Sequence, residues 1–241
     1  MFKAIEQILE KNAIDLFGVG NLKKYSQKLI DYGFPVSQDF ITSISIGIPL
    51  LDPIVDKLGV DADVSTIEFY RHSCYELINK KIDNILFKIS NILSQQDCDF
   101  LLIPASKTID RTNLYSTFSH KAAAFIAGLG WIGKSCLIIN HKYGPRVRWG
   151  TILTNAPLKS TGKPINKNCG NCNICVDSCP AGAFTGINFK LNDKREVRYD
   201  VFKCDKYLSQ RKESKGYRVC GICIKVCPFG KKITTHNTTY K

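Results

Sequence analysis

The stretch that decides the architecture reads Cys169-Gly-Asn-Cys172-Asn-Ile-Cys175-Val-Asp-Ser-Cys179-Pro180, answered downstream by Cys220-Gly-Ile-Cys223-Ile-Lys-Val-Cys227-Pro228. A cubic iron–sulfur cluster needs four converging thiolates, and a Cys-x2-Cys-x2-Cys loop wraps three of its corners. The cysteine before proline then reaches the other cluster of a pair. Zinc favours paired Cys-x2-Cys knuckles closing one tetrahedron, which explains neither the triple spacing nor the two Cys-Pro endings. Applying the crossing assigns Cys169, Cys172, Cys175 and Cys227 to one [4Fe–4S] cluster. The second receives Cys179, Cys220 and Cys223 and lacks a ligand. Cys204 is the unassigned cysteine nearby and is taken as the fourth. Crossed ligand sets place the clusters close together, as a short wire for single electrons.

The rest of the composition agrees. The chain has 241 residues, 11 of them cysteine, and is 44% hydrophobic, enough for a real core. No apolar run reaches the ~18 residues of a membrane span. The first residues carry Glu6, Glu10 and Asp15 among their apolar positions, unlike a signal peptide. The expectation is therefore a cytoplasmic protein with no membrane partner, whose tight cysteine spacings are metal ligands rather than disulfides. Cys74, Cys98 and Cys136 lie in apolar segments and read as small core residues. The formal charge is +13. Two clusters with their thiolates lower it to about +9. Basic residues crowd between Lys190 and Arg218, which reads either as a solvated face or as a surface for RNA or an acidic protein.

Outward from the cysteines, the pattern is α+β. Residues 1–17 have helical apolar spacing, with Gly18 and Gly20 as the stop. A further segment carries Tyr25, Leu29 and Ile30. Residues 41–48 alternate as a strand closed by Pro49. Ser65 and Glu68 form a capping box opening a helix to about Ser94. Phe100 to Ile103 reads as a short buried strand, followed by a helix from His120 to Ala127. Cys136–Asn140 and Val147–Leu153 read as a hairpin about a turn at residues 142–145, and residues 156–168 as a linker. The expected division is an α/β domain over 1–158 and a ferredoxin-like double-cluster domain over 159–241.

Gly128-Leu-Gly130-Trp-Ile-Gly133-Lys134-Ser135 fits both G-x-G-x-x-G and G-x-x-x-x-G-K-S. Both motifs need a strand before and a helix after, so that a helix N-terminus faces phosphate. Here helix-forming residues precede and strand-forming residues follow. The loop reads as a tight helix-to-strand turn whose glycines permit close packing against a flat ligand.

That loop, the following Leu-Ile-Ile, Tyr143-Gly144, Thr151-Ile-Leu-Thr154 and the Cys169–Cys179 block together resemble the epoxyqueuosine reductases. The likeness runs in order from about 120 to 230, and more loosely before that. It implies a nitroreductase-like N-terminal domain that holds a cobalamin and is fed by two ferredoxin-like [4Fe–4S] clusters, as in the related reductive dehalogenases. It also implies an electron donor such as a ferredoxin or flavodoxin, and a tRNA or a corrinoid protein as partner. The family's cysteine between the two blocks is a cluster ligand, matching Cys204. Leu114-Tyr115-Ser116-Thr117 stands where the family has its proton-donating Asp, and the C-terminal helical-repeat extension is missing, which reads as a short, divergent branch.

His120 and Lys134 flank the glycine loop as candidate catalytic residues, the first as a proton donor, the second for a phosphate or carboxylate. Gly128, Gly130 and Gly133 are candidate cofactor contacts. Arg146 and Arg148 alternate onto one face that could line an anion, against the default of a solvated face, and Trp131 and Trp149 read as core. Two functions follow: an iron–sulfur oxidoreductase delivering electrons to the N-terminal domain, or an electron carrier or reductive activator of a partner corrinoid protein with no substrate of its own. A third is an RNA-binding module.

Overall fold

In the computed structural model the described residues are 1–25, 39–106, 108 and 110–230. Four antiparallel strands form the main sheet: β1 (Leu16–Asn21), β2 (Thr42–Pro49), β3 (Phe100–Ile103) and β6 (Val147–Thr154), in the order β1-β2-β6-β3. β2 and β6 are the long central pair, with Ile44 opposite Ile152. The sheet is covered on both faces. Gly150 and Ile152 of β6 face one side, where α1 (Phe2–Lys11) and α4 (Ile78–Ser94) bury Ile5, Ile82, Ile85 and Leu86. Val147, Trp149 and Leu153 face the other side, onto α5 (His120–Ile126). Alternation along one strand thus feeds two cores.

The helix leading into α4 has three parts. α3 (Val64–Phe69) follows the short α2 (Asp52–Val55). A π-helical turn, Tyr70–Leu77, then joins α3 to α4. Asp63, not Ser65, caps α3: its carboxylate accepts from the Thr66 amide at 2.6 Å, and that bond holds its pKa below the usual value. The Ser65–Glu68 capping box does not form, because the helix has already begun at Val64.

Other expectations shift as well. α1 ends at Lys11, where Asn12 and the left-handed Ala13 (φ 54°) turn the chain into β1. Gly18 and Gly20 are strand residues. They let α5 approach: a Cβ on Gly18 would lie 3.0 Å from the Ala127 Cβ, and one on Gly20 would lie 2.9 Å from Ile126. The expected hairpin is absent. β5 (Ile138–Ile139) pairs with β4 (Trp131–Ile132), while β6 joins the main sheet and only Asn140 and Gly144 bridge across the turn. β3 is an edge strand with Leu101 exposed, so the expected burial holds only at Ile103. Cys74 and Cys136 are buried as expected, but Cys98 is only half-buried, its thiol 3.4 Å from the Gln96 carbonyl. Trp131 and Trp149 are core. Leu29 and Ile30 lie outside the described residues.

Residues 156–168 are held against the first half rather than spanning it freely. Thr161 exchanges backbone and side-chain hydrogen bonds with Val19. The cysteine region carries α6 (Ile174–Asp177), a 3-10 turn (Arg195–Val197), α7 (Val201–Lys215) and α8 (Ile222–Lys225). It docks through Arg146, which is 2% exposed and donates to Asp52 (2.9 Å), Asp56 (2.6 Å) and the Lys225 carbonyl (3.3 Å). Arg211 donates to the Gly59 and Val60 carbonyls, and Tyr217 to that of Ala62. Among the described residues no helix is long and apolar enough to cross a membrane.

Candidate metal centre

The fold draws the cysteines into two groups. Cys179, Cys204, Cys220 and Cys223 line one cavity of about 910 Å³. Cys179 follows α6, Cys204 lies in the first turn of α7, and Cys220 and Cys223 flank the start of α8. Their charges are felt mutually: burial first, then Cys220, Cys204 and neighbours, push the Cys223 thiol far up. Cys204 and Cys220 are raised by burial and by Cys179. Cys227 belongs elsewhere. Burial, then Cys175, Cys169 and Cys172, push it up to about 11. Cys175 is likewise pushed up to about 11 by burial, Cys169 and Cys172. Cys223 also feels Cys175, so the two groups adjoin.

This donor set fits iron–sulfur cubes. Four half-buried thiols that raise one another's pKa become stable thiolates only around a cationic core. Among the described residues, no three His, Cys, Asp or Glu side chains stand close enough together to hold a single metal ion. A spread set around a cavity is what a cube requires and a zinc ion does not.

Residues 168–230 match the family described as the 4Fe-4S double cluster binding domain. Epoxyqueuosine reductase of Bacillus cereus is 35% identical over 129 residues, 49% of this chain and 31% of that protein. The chain is thus similar to epoxyqueuosine reductases over about half of its length. It covers about a third of the length of the curated relatives it matches. Two solved structures share its fold. A catabolic reductive dehalogenase in complex with 3-bromo-4-hydroxybenzoic acid superposes with a TM-score of 0.69 at 20% identity, covering 97% of this chain and 32% of that one. An epoxyqueuosine reductase with an epoxyqueuosine-modified tRNA stem loop gives 0.57 at 18%, covering 95% and 66%.

The glycine loop packs on the protein itself rather than on an open surface. A Cβ on Gly128 would lie 2.7 Å from the Lys163 carbonyl oxygen, and one on Gly130 2.6 Å from that of Ile139. Gly128 also takes φ 77°, which ends α5 in the left-handed region. Gly133 abuts Cys169: a Cβ there would lie 3.4 Å from its sulfur. The room expected for a flat ligand is thus filled by the linker and β5. Lys134 is neither solvated nor open to a ligand. It is 5% exposed and donates to Asn173 Oδ1 at 2.7 Å, bracing the first cysteine loop.

His120 is also committed. Its Nε2 donates to the Pro104 carbonyl at 3.0 Å, which leaves Nδ1 to accept from the Thr151 hydroxyl at 2.9 Å. Burial, with Arg148 and Lys121 nearby, pushes its pKa down to about 4. A neutral ring with both nitrogens engaged joins α5 to β3 and β6 rather than donating protons at neutral pH. Arg146 and Arg148 do not share an anion-binding face: Arg146 is taken by Asp52 and Asp56, and the Arg148 guanidinium lies 3.7 Å over the Tyr75 ring. The basic stretch is partly structural too. Arg195 pairs with Glu196, Arg211 caps the Gly59–Val60 carbonyls, and Arg218 pairs with Asp205.

Sequence reading missed the tyrosines. Tyr70 and Tyr75 line the cavity of Cys179, Cys204, Cys220 and Cys223. The hydrogen bonds of a π-helix run between residues five apart, so the π segment brings both rings towards one side. The Tyr75 hydroxyl is hydrogen-bonded to Ser106 Oγ. No spacing rule in the sequence marks a π turn.

Proposed function

We propose that the chain is an iron–sulfur oxidoreductase that relays single electrons to an acceptor on its N-terminal region. In this reading residues 1–158 are a nitroreductase-like domain and residues 159–241 a ferredoxin-like one. Cys169, Cys172, Cys175 and Cys227 hold one [4Fe–4S] cluster, and Cys179, Cys204, Cys220 and Cys223 hold the other. The clusters supply reversible one-electron transfer. The observation that carries the reading is the shared cavity: four thiols from the C-terminal region and two tyrosines from the N-terminal region line it together. Tyr70, 6% exposed, closes that wall, and the Tyr75–Ser106 hydrogen bond fixes the second ring at the boundary.

The family likeness supports the finer statements. The acceptor is a cobalamin, the donor a ferredoxin or flavodoxin, and the compartment the cytoplasm, where thiols stay reduced. A tRNA is the partner suggested by the relative solved with a tRNA stem loop. The test is anaerobic reconstitution, followed by dithionite reduction and stopped-flow mixing with hydroxocobalamin. About eight irons per chain, bleaching on reduction and saturable reoxidation are expected. Uptake of four irons or fewer overturns the two-cluster reading. Reoxidation that stays linear in cobalamin concentration overturns the bound acceptor.

A further inference from the structure

We propose that the paired cavities at the start of α5 bind a small organic carboxylate with an apolar body. The outer cavity, about 730 Å³, is lined by the hydroxyl-bearing residues Ser106, Thr108, Tyr115 and Ser116. The inner one, about 530 Å³, is walled by Phe125, Ile132, Phe189 and Leu191. Ser119, Lys121 and Arg195 line both, so Lys121 stands at the junction of a polar mouth and an apolar chamber.

The charges at this junction are unbalanced. Lys121 has no hydrogen bond or ion pair among the described residues, and the cations that act on it are Arg198 and Arg195. Arg198 is 3% exposed, gives one donor to the Cys136 sulfur at 3.3 Å, and leaves its Nε without a partner. Glu196 is the acid at hand, and it is engaged by Arg195 and by the Tyr115 hydroxyl. Three cations therefore face one spent carboxylate. A buried cation without a counter-ion is costly, and an entering anion removes that cost.

The donors select the class of anion. Arg195 is already committed to Glu196 and to the carbonyls of Asn113 and Leu114. That leaves the Lys121 ammonium and the Arg198 Nε. Two donor groups match the two oxygens of a carboxylate better than the three of a phosphate. Beyond them the wall is apolar, with the Phe125 and Phe189 rings edge to face at 5.2 Å, so the remainder of the ligand is hydrocarbon. The assignment stands on the cavity and does not require that the clusters transfer electrons.

The experiment is calorimetric titration of the reconstituted full chain with four probes: benzoate, benzamide, acetate and inorganic phosphate. Benzoate should saturate one site and bind about tenfold more tightly than benzamide, which lacks the charge, and than acetate, which lacks the body. Lys121→Met should lose about tenfold for benzoate with benzamide unchanged. Equal affinity for benzoate and benzamide, or no benzoate binding, overturns the anion site. Equal affinity for benzoate and acetate overturns the apolar chamber, and tighter phosphate binding overturns the carboxylate class. Benzoate binding that survives Lys121→Met removes Lys121 from the site. Should that variant not fold, the wild-type comparisons still decide.

Discussion

The phenol of Tyr199 lies beside the sulfur of Cys204, and burial, together with that thiol, pushes the phenol well above its usual pKa. Tyr199 stands just before Asp200, the N-cap of α7, and its ring stacks on Phe184 at 5.3 Å. A donor aimed at a ligand sulfur stabilises the more negative, reduced cluster and so raises its potential. With Cys204 as the proposed fourth ligand, Tyr199→Phe should shift one cluster to a more negative potential by about 40 mV, the one-electron equivalent of about 1 kcal/mol. The other cluster should not move. A redox titration followed by electron paramagnetic resonance reads both. An unshifted pair would remove Tyr199 from the cluster's surroundings.

Arg146 is the main polar tie between the two halves. Arg146→Gln removes both carboxylate bonds and the bond to the Lys225 carbonyl. Asp52 and Asp56 are partly open to solvent, so they are not stranded as buried charges. The expected loss is about 2 kcal/mol in urea unfolding, below the figure for a fully buried pair. A loss under ~0.5 kcal/mol would place the docking energy in the apolar contacts of Tyr217 and Ile224 instead.

His120 gives the chain a specific acid sensitivity. Its folded pKa of about 4 lies below the ordinary 6.5. Between those values the unfolded chain binds a proton that the folded chain refuses. Stability therefore rises with pH across this window and is lost as pH falls through it. From pH 7 to 5.5 the term amounts to about 1 kcal/mol. His120→Gln should show a correspondingly shallower fall over that range in the same urea assay. Parallel curves would mean that the ring is protonated in the folded state.

The cysteine pattern was the most legible part of the chain because cluster ligation is local: three corners come from one short loop. Cys227 was legible from the cysteine-before-proline crossing and Cys204 by elimination, and the fold gathers Cys204 with Cys179, Cys220 and Cys223 around one cavity. β2 and the long helix to Ser94 were legible from periodicity. The pairing of β6 was not, since Val147–Leu153 alternates equally well for a hairpin partner or a sheet partner, and only burial on both faces decides. Gly18 and Gly20 read as helix stops because a glycine has the same look at a turn and under a close-packed helix. Lys134 read as a candidate for a phosphate or carboxylate because nothing local announces Asn173 as its partner. His120 and Lys121 are neighbours in sequence, yet their environments are opposite: the ring has both nitrogens engaged, and the ammonium has no counter-charge.

The central claim is two crossed clusters with Cys204 as a ligand, and iron analysis of Cys204→Ser tests it most directly. The account predicts a fall from about eight irons towards four, with the cluster of Cys169, Cys172, Cys175 and Cys227 keeping its reduced-state resonance and losing its magnetic coupling to a neighbour. A variant that keeps about eight irons and the coupled signal would contradict it.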